Sequence, residues 1–550
     1  MIFLQILLFF ISIVLLSVSI SGYGNLIKLK IENNFFLEIF YGFIIVTFII
    51  TVFHFFFRIN IIFSSLIFLF GLLIFLKKRI IRLKELFEKK NIPFFILIFL
   101  LIPMFLSQKY NEDFGYYHLP YALGFLEEKI IFGYANIDKS YVYNSIWLNL
   151  YSVFFLPDKN FDFLTLPSFI LFLSFVLFTL NQVLSKKNLL TSDYYLIVVL
   201  FYFILKFTRI SEFGVDLPSI IFSILSIYYF MKFFETNLIE EKKNYFFLVA
   251  SFSIFSVLIK LSTLPIILLS LYMFFREFRY LKFSVLSFQF FFIILLFLSF
   301  LMQQFVYTGC ILFPTNLTCF DVRWFNAEYL KLSDYLELVN KSYFQEAKKT
   351  YSPEQYLNNF NWLYFWIKRN FIEILEHSLT IIVPSLLFLI FLKKESKFKN
   401  YFKEKKALYI FLFFSLMFWL NFSPVYRFAT HLFVTLLFIL LSGFFLSKIF
   451  SKKIFIIFIS IFILFSFSKN VLRIINTEDI FIGIQKIDNL YIFRDDVSNE
   501  YAKIYRPDIE KNKKNGWQGR LCWNTPFICS YNKLDVNKKN GYLIINKLQN

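Results

Sequence analysis

Long apolar runs separated by short polar or basic breaks dominate this chain. Runs near 2–21, 35–57, 60–76, 92–107, 161–181, 193–208, 216–234, 245–261, 263–276, 282–302, 371–392, 407–422, 428–447 and 453–469 approach membrane-crossing length. A bilayer is crossed by a helix of roughly 20 consecutive apolar residues. The pattern therefore predicts an all-α polytopic membrane protein with about 14 transmembrane helices. A β-barrel would alternate apolar and polar positions, and these runs do not. The stretch from Ile146 to Leu156 is too short to span easily and predicts a re-entrant or interfacial helix. The first run, Ile2 to Ile20, lacks a basic leader and a small-residue cleavage site, so it reads as a retained helix.

Composition agrees with this picture. The chain is 58% hydrophobic and only 17% charged, which excludes an ordinary soluble domain. Phe accounts for 85 of 550 residues; with abundant Ile, Asn and Lys this reflects AT-rich codon usage in part, so it carries no functional argument. The formal charge of +20 would suggest nucleic acid in a soluble protein. Here the basic residues sit in short loops, which is the positive-inside pattern, and no nucleic-acid partner is expected. The strongest basic loops are Lys77 to Lys90, Arg276 to Lys282, Lys393 to Lys406 and Lys448 to Lys453.

Placing those loops in the cytoplasm puts the N-terminus, the loop 108–160, the turn near 209–215, the loop 303–370 and the tail 470–550 outside. All four cysteines, Cys310, Cys319, Cys522 and Cys529, fall in these outer regions as two local pairs. Two disulfides in an oxidising compartment follow, with unpaired thiols as the alternative. No CxxC motif occurs and there are only four histidines, so no structural zinc is expected. The expected division is a membrane module over 1–469 and a small disulfide-pinned extracytoplasmic cap over 470–550. No repeat of 20–50 residues is visible.

Candidate chemistry gathers at the outer ends of the runs. The segment Asn111-Glu112-Asp113-Phe114-Gly115-Tyr116-Tyr117-His118-Leu119-Pro120 places two carboxylates and a histidine beside the bilayer. A carboxylate there can draw a proton from an acceptor hydroxyl, or hold a divalent cation beside a phosphate. Tyr116, Tyr117 and Tyr121 offer faces and hydroxyls suited to sugars. The bland reading is a solvated loop. Asn144, Trp147 and Asn149 follow in a short apolar segment, where polar groups need partners.

A second group is Arg209, Glu212 and Asp216, with Asp216 entering a span just before Pro218. Asp216 reads either as a functional acid or as a helix cap. Lys260 ends another span on the outer side; it either meets an anion or snorkels. Arg427, in Pro424-Val425-Tyr426-Arg427-Phe428 ahead of His431, is the residue type suited to bidentate phosphate recognition, or an interfacial anchor. No Walker loop is present, so direct ATP use is not expected.

These residues permit a family comparison. An acidic pair in a long outer loop after a transmembrane helix resembles the polytopic glycosyltransferases of the GT-C fold. Tyr117-His118-Leu119-Pro120, Asn144-Ser145-x-Trp147-Leu148-Asn149, Pro424-x-x-Arg427-Phe428 and Cys522-Trp523-Asn524-x-Pro526-x-x-Cys529 are also similar to the LIC_10190-type family of large bacterial membrane proteins. The GT-C resemblance implies sugar transfer from a polyprenyl-phosphate donor with an Asp or Glu of that loop as base, which corresponds to Asp113 and, with it, Glu112.

The expected protein is a GT-C-like transferase of a bacterial inner membrane, working on the extracytoplasmic face on a glycolipid or envelope-linked acceptor. Asp113 and Glu112 are its catalytic candidates. His118, Tyr117, Asn144, Trp147, Glu212, Asp216, Lys260 and Arg427 are its substrate-binding candidates. The cofactor is either none or a divalent cation, Mg or Mn, on Asp113 and Glu112. The rival reading is a transporter or flippase of lipid-linked saccharide using the same charges. Few charges lie mid-span and no repeat is seen, which favours the enzyme. A third reading is a non-catalytic envelope scaffold.

Overall fold

A computed structural model describes residues 2–27, 34–86, 92–106, 112–155, 164–206, 214–282, 288–394, 405–476, 496–498, 501–514 and 518–546. The chain is mostly helical. Its first helices are α1 (Ile2–Gly24), α2 (Phe35–His54), α3 (Ile61–Leu86), α4 (Ile92–Leu106), α5 (Leu119–Glu127), α6 (Ile146–Tyr151) and α7 (Leu166–Ser185). Then come α8 (Thr191–Leu205), α9 (Asp216–Glu235), α10 (Ile239–Ile259), α11 (Ile267–Arg276), α12 (Phe278–Leu281) and α13 (Phe288–Thr308). Two short helices, α14 (Leu332–Asn340) and α15 (Pro353–Leu357), precede α16 (Asn361–Phe391), α17 (Lys405–Phe422), α18 (Thr430–Leu446) and α19 (Lys452–Asn476).

Among the described residues, ten helical segments are long and apolar enough to cross a membrane, and four shorter apolar helices accompany them. The protein is a multi-pass membrane protein. Several boundaries differ from the sequence expectation. Helix α13 runs on to Thr308, because Gln303 and Gln304 are buried and bonded to other segments rather than exposed in a loop. Helix α16 starts ten residues before the expected 371, and α19 carries the chain to Asn476, so the tail begins later than 470. The Ile146 stretch forms the short buried helix α6 and then a 3-10 turn to Phe154.

Burial ranks the helices. The spanning window of α9 is 94% buried, against 28% for α16 and for α19, so α9 is central and the other two are peripheral. A helix apolar on every side belongs in such a centre. At the N-terminal end, α1, α2 and α3 pack backbone to backbone. A Cβ on Gly22 would lie 1.9 Å from the Gly71 carbonyl oxygen. Ser19 and Tyr23 donate across the same seam to the Phe68 and Ile67 carbonyls, each at 2.6 Å. Small residues allow this approach between membrane helices. Gly22→Ala is expected to destabilise the chain by about 1–3 kcal/mol through overpacking, read as a lowered unfolding temperature in detergent.

The tail departs from the all-α expectation. Its described residues form two antiparallel hairpins, β1 (Asp496–Ser498) with β2 (Lys503–Tyr505) and β3 (Asp535–Lys539) with β4 (Tyr542–Asn546), and one short helix, α20 (Ile509–Lys514), between them. Both expected disulfides are present, Cys310–Cys319 and Cys522–Cys529. The tail is bonded to the segment 112–155. Phe132 donates to the Leu543 carbonyl at 3.0 Å and its own carbonyl accepts from Ile545 at 2.9 Å; Ser530 donates to the Ile137 carbonyl at 2.7 Å.

Candidate functional site

The segment 112–155 lies across one end of the bundle. Gly133 donates to the Val306 carbonyl at 2.8 Å, and the Gln304 amide donates to the Val142 carbonyl at 2.8 Å, which ties the segment to the end of α13. Cys310 follows that end directly, so the segment, both disulfides and the tail share one end.

Within the segment, Phe114–His118 is a turn of π-helix running into α5. Such wide turns occur often at functional sites because they re-aim side chains. The tail clamps this turn. The backbone N–H groups of Cys522 and Trp523 both donate to the Gly115 carbonyl, at 3.1 and 2.8 Å. A Cβ on Gly115 would sit 2.5 Å from the Trp523 ring, so only glycine admits the indole there. Gln518 donates to Glu112 at 2.7 Å, and the Arg520 guanidinium lies 5.7 Å from the Tyr116 ring centre.

Three of the expected site residues meet directly. Asp216, the first residue of α9, receives the Lys260 ammonium on one carboxylate oxygen and faces the Arg427 Nε at 3.2 Å with the other. Lys260 sits in the connector between α10 and the 3-10 turn before α11, and Arg427 in the 3-10 turn before α18. The Lys260 ammonium also lies 3.3 Å from the Phe428 ring centre, a cation–π contact. Two cations against one carboxylate leave one net positive charge. The three side chains are 15% to 29% exposed, so a ligand can reach them.

His118 and Tyr117 border this cluster. A Cβ on Gly214 would be 3.3 Å from the His118 Cε1, which sets the imidazole two residues from Asp216. The charges of Asp113 and Asp216 both act on Tyr117, and that of Asp113 acts on Lys260. Burial pushes the Tyr117 hydroxyl well above its usual value, so it remains a donor. Burial, joined by Arg427, pulls Lys260 down to about 8 against the opposing pull of Asp216.

Asn144 and Trp147 are engaged in buried hydrogen bonds, and Trp147 connects through the Tyr151 hydroxyl, which donates to the Gly214 carbonyl at 2.9 Å, to the chain just before Asp216. The Tyr121 hydroxyl lies 2.9 Å from the Asn144 side-chain oxygen and 2.8 Å from that of Asn149, with one proton to donate between them. Asn149 donates in turn to Thr51 at 2.9 Å and Gln303 at 3.0 Å, and Gln303 donates to Tyr307 at 3.1 Å. Trp147 is fully buried between Phe43 and Phe255, its indole donating to Tyr151 at 3.2 Å. These groups hold the segment to α2 and α13. Arg209 and Glu212 lie outside the described residues.

Among the described residues, no group of three or more His, Cys, Asp or Glu side chains could hold a metal ion. Glu112 and Asp113 supply two adjacent carboxylates, so a Mg or Mn ion there would need phosphate oxygens and water to complete its shell. Sequence reasoning also missed Phe428 under Lys260, and the contacts of Gln518 and Arg520. It missed a second charged cluster at the far end of α9 as well. There Asp193 meets Lys186 at 2.6 Å and Lys232 at 3.5 Å, and Glu235 accepts from Ser192.

Residues 1–434 match the model of a family described as a domain of unknown function, DUF8201. No curated protein and no solved structure matches the chain.

Proposed function

Because the chain belongs to the DUF8201 family, whose description assigns no activity, we propose a function from the site alone: transfer of a sugar from a polyprenyl-phosphate donor to a hydroxyl of a lipid- or envelope-linked acceptor. The observation that carries this reading is the convergence of Lys260 and Arg427 on Asp216, with Asp113, Tyr117 and His118 alongside. The membrane is a bacterial inner membrane and the site lies on its extracytoplasmic face, where disulfides persist. The fold is GT-C-like with about 14 spans, for which the ten long and four shorter apolar helices supply candidates.

In this reading Asp113 takes the proton of the acceptor hydroxyl as its oxygen attacks the anomeric carbon of the sugar. The bond from that carbon to the phosphate oxygen breaks, and polyprenyl phosphate leaves with the electron pair. Charge grows on the leaving phosphate, and fixed cations aimed at growing charge supply much of the stabilisation in such steps. Lys260 and Arg427 hold that phosphate. Asp216 keeps the two cations together before the donor arrives, so it is a positioning residue. Tyr117 donates to the donor's oxygens.

Donor binding tests this assignment. Lys260→Met is expected to weaken binding of a radiolabelled polyprenyl phosphate to the full chain in nanodiscs about 10–100-fold, the worth of one charged hydrogen bond. Lys260 holds an anion only while protonated, so wild-type affinity falls as pH rises through about 8. Lys260→Arg keeps its charge at every accessible pH and abolishes that step. Binding independent of pH and equal in wild type and Lys260→Met rejects the phosphate role.

A further inference from the structure

The buried amide of Asn524 has no role in the site as described. Asn524 is 5% exposed, and neither its Nδ2 nor its Oδ1 has a hydrogen-bond partner among the described residues. It stands in the loop closed by the Cys522–Cys529 disulfide, inside a turn in which Thr525 donates to the Cys522 carbonyl at 3.0 Å. The two residues before it are those whose N–H groups hold the Gly115 carbonyl. The neighbouring Trp523 is fixed by a hydrogen bond from its indole to Asn512 at 3.1 Å, and Asn512 itself donates to the Leu521 carbonyl at 3.0 Å. The turn is therefore rigidly seated on the π-helix that joins Asp113 to His118.

A buried side-chain amide left without partners is costly, and an apolar residue of similar shape would be tolerated more easily. Native chains keep such groups where something else satisfies them. An amide offers two donors on nitrogen and an acceptor on oxygen, side by side. Adjacent sugar hydroxyls present the complementary pair. The rim around the same seam is polar: Gln518 and Arg520 from the tail, Glu112 and Tyr116 from the loop.

We infer that the tail is part of the binding site and that Asn524 hydrogen-bonds adjacent hydroxyls of a sugar ring at the seam between the Cys522–Cys529 loop and the Asp113–His118 turn. This rests on the sugar-transfer reading for the identity of the ligand, and adds a binding residue that lies beyond the family-matched range.

The test uses the full chain in nanodiscs and Asn524→Leu, with two separate readouts. The first is saturation-transfer NMR with free glucose and N-acetylglucosamine. The expected result is a sugar signal in wild type that Asn524→Leu removes, with an unfolding temperature unchanged or raised. The second is transfer from a polyprenyl-phosphate sugar, where kcat/KM falls about 10–100-fold. If neither protein transfers sugar but the NMR signal still depends on Asn524, the transferase reading fails and the binding site stands. A sugar signal absent from wild type, or equal in both proteins, overturns the inference. So does a large loss of thermal stability in Asn524→Leu with transfer intact, which marks a structural amide.

Discussion

Replacing Arg427 by methionine lowers the rate of sugar transfer by about 10²–10³-fold, the usual cost of removing one donor aimed at charge that develops in a transition state. The effect falls on the chemical step, because phosphate charge rises as the bond to the sugar breaks. Folding suffers less, since Asp216 keeps Lys260 as a partner. Arg427→Lys recovers only part of the rate: an ammonium supplies the charge but not the planar fork that binds two phosphate oxygens at once. Single-turnover kinetics on the purified chain separates this from weakened donor binding. An unchanged rate in Arg427→Met removes the residue from the donor site.

Asp113→Asn lowers transfer by about 10²–10⁴-fold, the usual contribution of a positioned base. Asparagine keeps the shape and polarity of the side chain, so the π-helical turn and its clamp by Trp523 persist. Donor binding changes little, because the cations that hold the phosphate pair directly with Asp216, and Asp113 acts on Lys260 only through its charge. The signature is a loss in kcat with little change in donor affinity. Glu112→Gln has a smaller effect, since its carboxylate is engaged by Gln518 at the seam with the tail. A loss of transfer matched by an equal loss of donor affinity assigns Asp113 to ligand binding instead.

The helical bundle was legible because lipid-facing helices write their length directly as apolar runs. The disulfide pairing was legible because both cysteine pairs are local. Asp216, Lys260 and Arg427 stood out one by one, each a charge at the end of an apolar run, and a shared end made their meeting a reasonable expectation. Other features depend on distant partners. Asn144 and Asn149 look the same in sequence whether they face a ligand or close a network with Tyr121 and Gln303. Gln303 and Gln304 read as the start of a loop, yet their partners in the segment 112–155 keep them inside a helix. The strands of the tail are only three to five residues long, so they carry little alternation to read. The contact of Trp523 with Gly115 joins the tail to the first long loop, and nothing local in either segment announces it.

The most direct measurement is transfer of labelled sugar from a polyprenyl-phosphate donor by the purified full-length chain in nanodiscs, run beside Asp113→Asn and Arg427→Met and with translocation of the same lipid followed in proteoliposomes. The account predicts turnover by the wild type that both substitutions lower by about 10²-fold or more, without translocation. Translocation of the intact lipid with no transfer to any acceptor contradicts it.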